Sequence, residues 1–169
     1  MAGDKFLYNN AGTITEKVSN QTSAGAGDAG KIVALDATGR IDNSMMPTGI
    51  GADTATITAS EALAAGDLVN VWNSTGAKVR KADASTTGKE AHGFVLAAVS
   101  NGAAATVYFE GTDTQVTGLT PGVQYLSATT PGAATVTAPS GSGQVVQRVG
   151  FATAATALNF QSMPPVVLA

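Results

Sequence analysis

The fold class predicted is all-β: a small antiparallel β-sandwich or barrel, jelly-roll-like, preceded by an extended N-terminal arm. Three observations predict it. From Thr54 onward, short β-prone runs recur at the spacing of roughly 8 to 12 residues that sandwiches and barrels use. Turn chemistry separates these runs, as in Asn101-Gly102, Gly111 to Asp113 and Gly118 to Gly122, because Asn and Gly accept positive φ and Pro121 presets the φ of a turn. In the first 53 residues no helical spacing is sustained, and beyond them Glu61 to Ala65 is too short for more than one helical turn.

Ala91 to Leu126 is the predicted centre of the fold, with Phe94, Val95, Leu96, Val99, Val107, Tyr108, Phe109, Val116, Tyr125 and Leu126 supplying much of the bulky apolar side-chain volume. Strands are predicted at 54–58, 68–72, 78–81, 93–99, 106–110, 114–116, 124–127, 135–137, 145–151 and 157–160. Glu61 to Ala65 is long enough for one helical turn at most. In 68–72 and 78–81, alternation turns some polar residues to one face, as a half-solvated antiparallel sheet requires.

Residues 1–53 read differently from residues 54–169, and the two are expected to form an arm and a β-domain. The apolar residues of the arm stand in clusters of one to three between polar and Gly-rich spacers, and only Lys31 to Asp36 has the pattern of a strand. Such a segment becomes ordered against a partner. The boundary is read from Pro47 to Gly51, where Pro and Gly interrupt regular structure.

Composition narrows the function. The 169 residues carry 12% charged side chains, about half the usual share. Leu, Ile and Phe are also scarce, and Ala, Gly, Thr and Ser fill the gap. Thin sheets packed against other chains are the expected source of stability. From Thr114 to the C-terminus the one charged side chain is Arg148, so this region suits a large, partly polar protein interface. A net charge of −3 argues against nucleic acid as a partner. Met1 to Asn10 lacks the apolar run of a secretory signal and no run reaches the ~20 apolar residues of a membrane span, so neither export nor a membrane is expected. The absence of cysteine removes disulfides and thiolate metal sites.

Catalytic and ligand motifs are thin. His92 is the single histidine, and no G-x-S-x-G elbow accompanies it. Gly25 to Gly30 spells G-x-G-x-x-G, but a strand-like segment follows it where a dinucleotide site needs a helix N-terminus. Asp36 and Asp42 lack the alternating ligands and final Glu of a calcium loop. No enzyme activity, cofactor or metal is therefore expected. Lys78, Arg80 and Lys81 form the one basic cluster, with alternation placing Lys78 and Arg80 on one face and Lys81 on the other; a solvated strand face explains them, and an acidic partner is the alternative. Asn20 and Asn73 sit in glycosylation-type triplets that carry no weight without a leader.

Ala29-Gly-Lys-Ile-Val-Ala-Leu-Asp-Ala-Thr-Gly-Arg-Ile-Asp-Asn-Ser-Met-Met-Pro47 resembles a linker of tailed-bacteriophage structural proteins, typically GKxVALxxxGKIDxSxLP. Ser60 to Asn70, Val79 to Asp83, Ala91 to Phe94, Gly118 to Gly122, Tyr125 to Ser127 and Gln147 to Gly150 resemble phage capsid decoration (head cement) proteins and related virion β-domains. The resemblance spans about two-thirds of the chain. It implies a small β-domain, commonly homotrimeric, on the outer surface of the virion capsid, bridging neighbouring major capsid protein subunits with an arm, and it implies no catalytic residues. A tail fibre or baseplate component uses the same linker and is the alternative. A carbohydrate-binding or hydrolytic module would want aromatic platforms or paired carboxylates, and Trp72 is the sole Trp.

Overall fold

Lys5–Asn10 (β1) and Thr13–Val18 (β2) pair along their whole length as an antiparallel hairpin, which the sequence did not announce. Its turn is Ala11-Gly12, both at positive φ, and the Gly12 N–H donates to Asn9 Oδ1. Asn or Asp usually takes the first of these positions, so Ala11 hid the turn. The computed structural model describes residues 5–47 and 51–169, which fall into two compact units dividing between Gly51 and Ala52. Thr48 to Ile50, at the centre of the predicted boundary, lie outside the described residues.

The rest of the N-terminal unit is held by turns. Lys31 to Asp36 is not a strand: one bridge, Asn20 to Val33, is all the pairing it makes. Asp36 ends it, because its carboxylate accepts from the N–H groups of Thr38 and Arg40 and so closes a turn where a strand would have to run on. Short 3-10 turns occupy Ala26–Asp28 and Asn43–Met45, the second capped by Asp42 accepting from the Ser44 N–H.

The C-terminal unit is predominantly β. Five strands pair in a cycle: Thr54–Ala59 (β3), Leu68–Asn73 (β4), Ala77–Lys81 (β5), Gly93–Phe94 (β6) and Ala104–Tyr108 (β7). The order is β3-β5-β4-β6-β7, and β7 returns to β3. The β3–β5 pair is parallel, a departure from the purely antiparallel expectation. A second group comprises Glu110–Asp113 (β8), Gly122–Leu126 (β9), Ala134–Thr135 (β10), Arg148–Ala154 (β12) and Ala157–Gln161 (β13), in the antiparallel order β10-β9-β12-β13-β8. Val145–Val146 (β11) pairs with Val166–Val167 (β14).

Two apolar clusters hold this unit. One gathers Val69, Val79, Val95, Ala105 and Val107 with Ala59 and Leu63. The other joins Leu68 and Phe94 to Leu126, Val149, Leu158 and Phe160 of the second sheet, with Phe94 stacked on Tyr108 at 5.4 Å and tilted against Phe160 at 5.6 Å. Small residues permit the close approaches. A Cβ on Gly150 would lie 2.0 Å from the Asn159 carbonyl oxygen, and its φ of 128° favours glycine in any case.

Several predicted boundaries shift, each for a local reason. The run 93–99 yields only β6, because the Val95 N–H turns to the Asp67 carbonyl and Val99 bridges to Leu63. Leu63 is held in that same bridge, and Glu61 to Ala65 forms no helical turn. The run 114–116 is not a strand; β8 lies just before it and ends where Asp113 Oδ1 accepts from the Gln115 N–H.

Candidate functional site

The surfaces most suited to contact are apolar but uncovered. On the β1–β2 hairpin, alternation puts Lys5, Leu7 and Asn9 on one face with Ile14, Glu16 and Val18. Leu7 is 75% exposed, Ile14 61% and Val18 50%. A salt bridge of 2.6 Å between Lys5 and Glu16 lies across the same face, while Lys17 stands 3.8 Å above the Tyr8 ring on the other. Ile32, Val33, Leu35 and Ile41 of the same unit are also about half exposed. A two-stranded hairpin is marginal in water without a covered face, and this one leaves its apolar stripe exposed.

The C-terminal unit presents a second such surface. Register across its second sheet aligns Val123, Phe151, Asn159 and Thr112 in one row. Tyr125 faces Arg148 in the neighbouring row, and Gln161 faces Glu110. Val123 and Phe151 are exposed, and Arg148 and Glu110 are the only ionic side chains in these two rows. An aromatic and aliphatic centre with Tyr and Arg beside it has the composition of a protein contact.

The motifs weighed for chemistry are placed as follows. His92 is exposed in a cleft with Glu90, Gln147, Ser162 and Met163. Its Nδ1 accepts the Val71 N–H at 3.1 Å, so the neutral ring carries its proton on Nε2. Ser162 Oγ donates to the Ala91 carbonyl at 2.9 Å, and Glu90 accepts from the Gly88 N–H. No hydrogen bond joins His92 to Ser162 among the described residues. In Gly25 to Gly30, the Asp28 carboxylate accepts from the Ala24 N–H and pairs with Lys31, filling the turn with its own anion. The Lys31 hydrogen bond, with those of Ala24 and Asn20, holds Asp28 down at about 2. Hydroxyl and N–H donors lower Asp36 and Asp42 likewise, Thr38 acting on the first and Ser44 on the second. Among the described residues no group of three or more His, Cys, Asp or Glu is placed to hold a metal ion, and no helix is long and apolar enough to cross a membrane.

The basic cluster divides in a way alternation alone did not foresee. Arg80 and Lys81 line one cleft with Ser60, Glu61, Trp72, Asp83 and Lys89, and Lys78 is absent from it. Lys81 is the last residue of β5, so its ammonium can reach round to Asp67 at 3.2 Å. Arg80 lies 4.6 Å from the Trp72 ring centre, donates through Nε to Asn70 Oδ1 and through a terminal nitrogen to the Gly88 carbonyl. Asn73, from one of the glycosylation-type triplets, accepts the Gly76 N–H in the β4–β5 turn.

No family model matches the chain, and no match was found among curated proteins or solved structures.

Proposed function

We propose that this protein is a structural component of a tailed-bacteriophage particle that decorates the outside of the head and stabilises it by bridging neighbouring major capsid protein subunits. The observation that carries the reading is the uncovered apolar stripe of Leu7, Ile14 and Val18 on the N-terminal unit. It stands in a chain whose 29–47 segment resembles a phage linker and whose later segments resemble decoration proteins. In this reading the N-terminal unit is the anchor and the C-terminal unit is a small barrel carrying a five-stranded sheet, assembled as a homotrimer. Its work is mechanical and requires no catalytic group, cofactor, nucleic acid or membrane. Each copy adds modest apolar contacts across a capsomer boundary, and repetition over the shell multiplies their effect.

Gold labelling of intact particles with an antibody to this chain tests the proposal. Label spread over the head is the expected result. Label confined to the tail or its tip would instead establish the second reading, a tail fibre or baseplate component, which draws on the same 29–47 motif.

A further inference from the structure

We propose that Thr114 to Pro121 is a proton-governed strap, closed over the larger apolar cluster while Asp113 at its root is protonated and opening when Asp113 ionises. The segment joins β8 to β9 and belongs to no strand. Val116 and Leu119 alone in it are partly buried, both against the cluster of Leu68, Phe94 and Phe160, and its other residues are exposed. Two hydrogen bonds hold its far half: the Leu119 N–H donates to the Ala155 carbonyl at 3.1 Å, and Gln124 Nε2 donates to the Thr120 carbonyl at 2.7 Å. Gly118 and Gly122, at φ 71° and 124°, bracket that half and can absorb a change of backbone path. A segment so thinly attached opens at a fraction of the cost of unfolding the unit.

The near half is rooted in the interior. Asp113 Oδ1 accepts the Gln115 N–H at 2.9 Å, and Gly66 fits so closely that a Cβ there would lie 2.7 Å from the Gln115 carbonyl oxygen. Asp113 is fully buried, and its Oδ2 has no hydrogen-bond partner among the described residues. The elements packed against it bring no cation to that oxygen. β13 sets Leu158 opposite it and β6 contributes Gly93 and Phe94, while the turn before β4 brings a like charge, Asp67. Asp67 is itself turned to the Ala64 N–H and to the Lys81 ammonium, so Lys81 answers Asp67 rather than Asp113. A neutral acid is tolerated in such a place, whereas a carboxylate with one donor and an anion nearby is not. Swinging the strap outward admits water to Oδ2, which links opening to ionisation. The closed form is favoured fully below about pH 4 and loses that advantage as pH climbs through the raised value that burial gives Asp113. The device lies wholly within the C-terminal unit and works wherever the protein resides.

Hydrogen exchange of the full chain between about pH 4 and pH 7, read amide by amide and expressed as protection relative to intrinsic rates, tests the strap. The Leu119 amide reports its opening. The Leu126 amide, on buried β9 and donating to the Gln147 carbonyl, reports unfolding of the whole unit. Leu119 is expected to be less protected than Leu126 throughout, and to lose about tenfold or more in protection from pH 4 to pH 7, the effect of one pKa unit. Asp113→Asn keeps an acceptor for the Gln115 N–H and is expected to hold Leu119 protection constant within about twofold. Three results would each overturn the proposal: Leu119 as protected as Leu126 at every pH, Leu119 protection independent of pH in the wild type, or an equal fall in Asp113→Asn. The first two are read from the wild type and need no variant.

Discussion

Phe160 and Phe109 show how far burial decides the worth of a single side chain. Phe160, on β13 of the second sheet, is fully buried against Phe94, whereas Phe109, predicted to lie at the centre of the fold, is only partly buried beside the smaller cluster. Phe160→Ala is expected to destabilise the C-terminal unit by about 3–5 kcal/mol. Phe109→Ala should cost roughly 1–2 kcal/mol, since part of its surface stays in water in the folded state. Chemical denaturation of both variants measures the difference. Asp113 supplies a second test at this scale. It is fully buried, and its Oδ2 has no hydrogen-bond partner among the described residues. Burial raises its pKa, the Gln115 N–H offsets part of the rise, and the charge of Asp67 adds to it. An acid raised on folding binds its proton more tightly in the native state, so stability is full below the ordinary Asp range near pH 4 and falls as pH climbs through the raised value. Asp113→Asn removes that charge and keeps the acceptor for Gln115. Its melting temperature should gain on the wild type between pH 4 and pH 7; a gap independent of pH would show that Asp113 does not titrate in this range.

At the scale of elements, the hairpin and the second sheet obey different rules. The C-terminal strands are stabilised by what they bury, so their core positions govern folding. The β1–β2 hairpin leaves Leu7 and Ile14 in water, so changing them removes little from the chain itself. Leu7→Ser with Ile14→Ser is expected to shift the melting temperature of the free protein by under about 2 °C, because surface changes are worth within about 0.5 kcal/mol. The same pair should sharply reduce retention on particles, measured by co-sedimentation with heads. Undiminished retention would move the anchor elsewhere, and the uncharged row of Val123, Phe151, Asn159 and Thr112 is the next surface to alter.

For the whole molecule, the division at Gly51 and Ala52 makes a separable prediction. A chain lacking residues 1–50 keeps every strand from β3 to β14 and both apolar clusters. It should retain the β-sheet circular dichroism of the full protein and lose binding to particles. Retained binding would place attachment in the C-terminal unit. Loss of the β signal would show instead that the C-terminal unit depends on the removed segment to fold.

What the sequence determined by itself was the class and the position of most C-terminal strands. Short runs such as Leu68 to Asn73 and Ala157 to Gln161 are bounded by Gly and turn residues, and those are local signals carried by the residues themselves. The thin charge after Asp113 was equally legible, and it reappears in the uncharged row of Val123, Phe151, Asn159 and Thr112. Tertiary structure alone decided the parallel β3–β5 pair, the short span of β6 and the return of β7 to β3, because each depends on a partner remote in sequence. It also decided the hairpin, where pairing over six residues on each strand overrides the weak signal of Ala11 in its turn. The Trp72 cleft belongs to the same class. Ser60, Trp72, Arg80 and Lys89 carry no shared motif, and only the pairing of β4 with β5 and the path of the flanking loops bring them together.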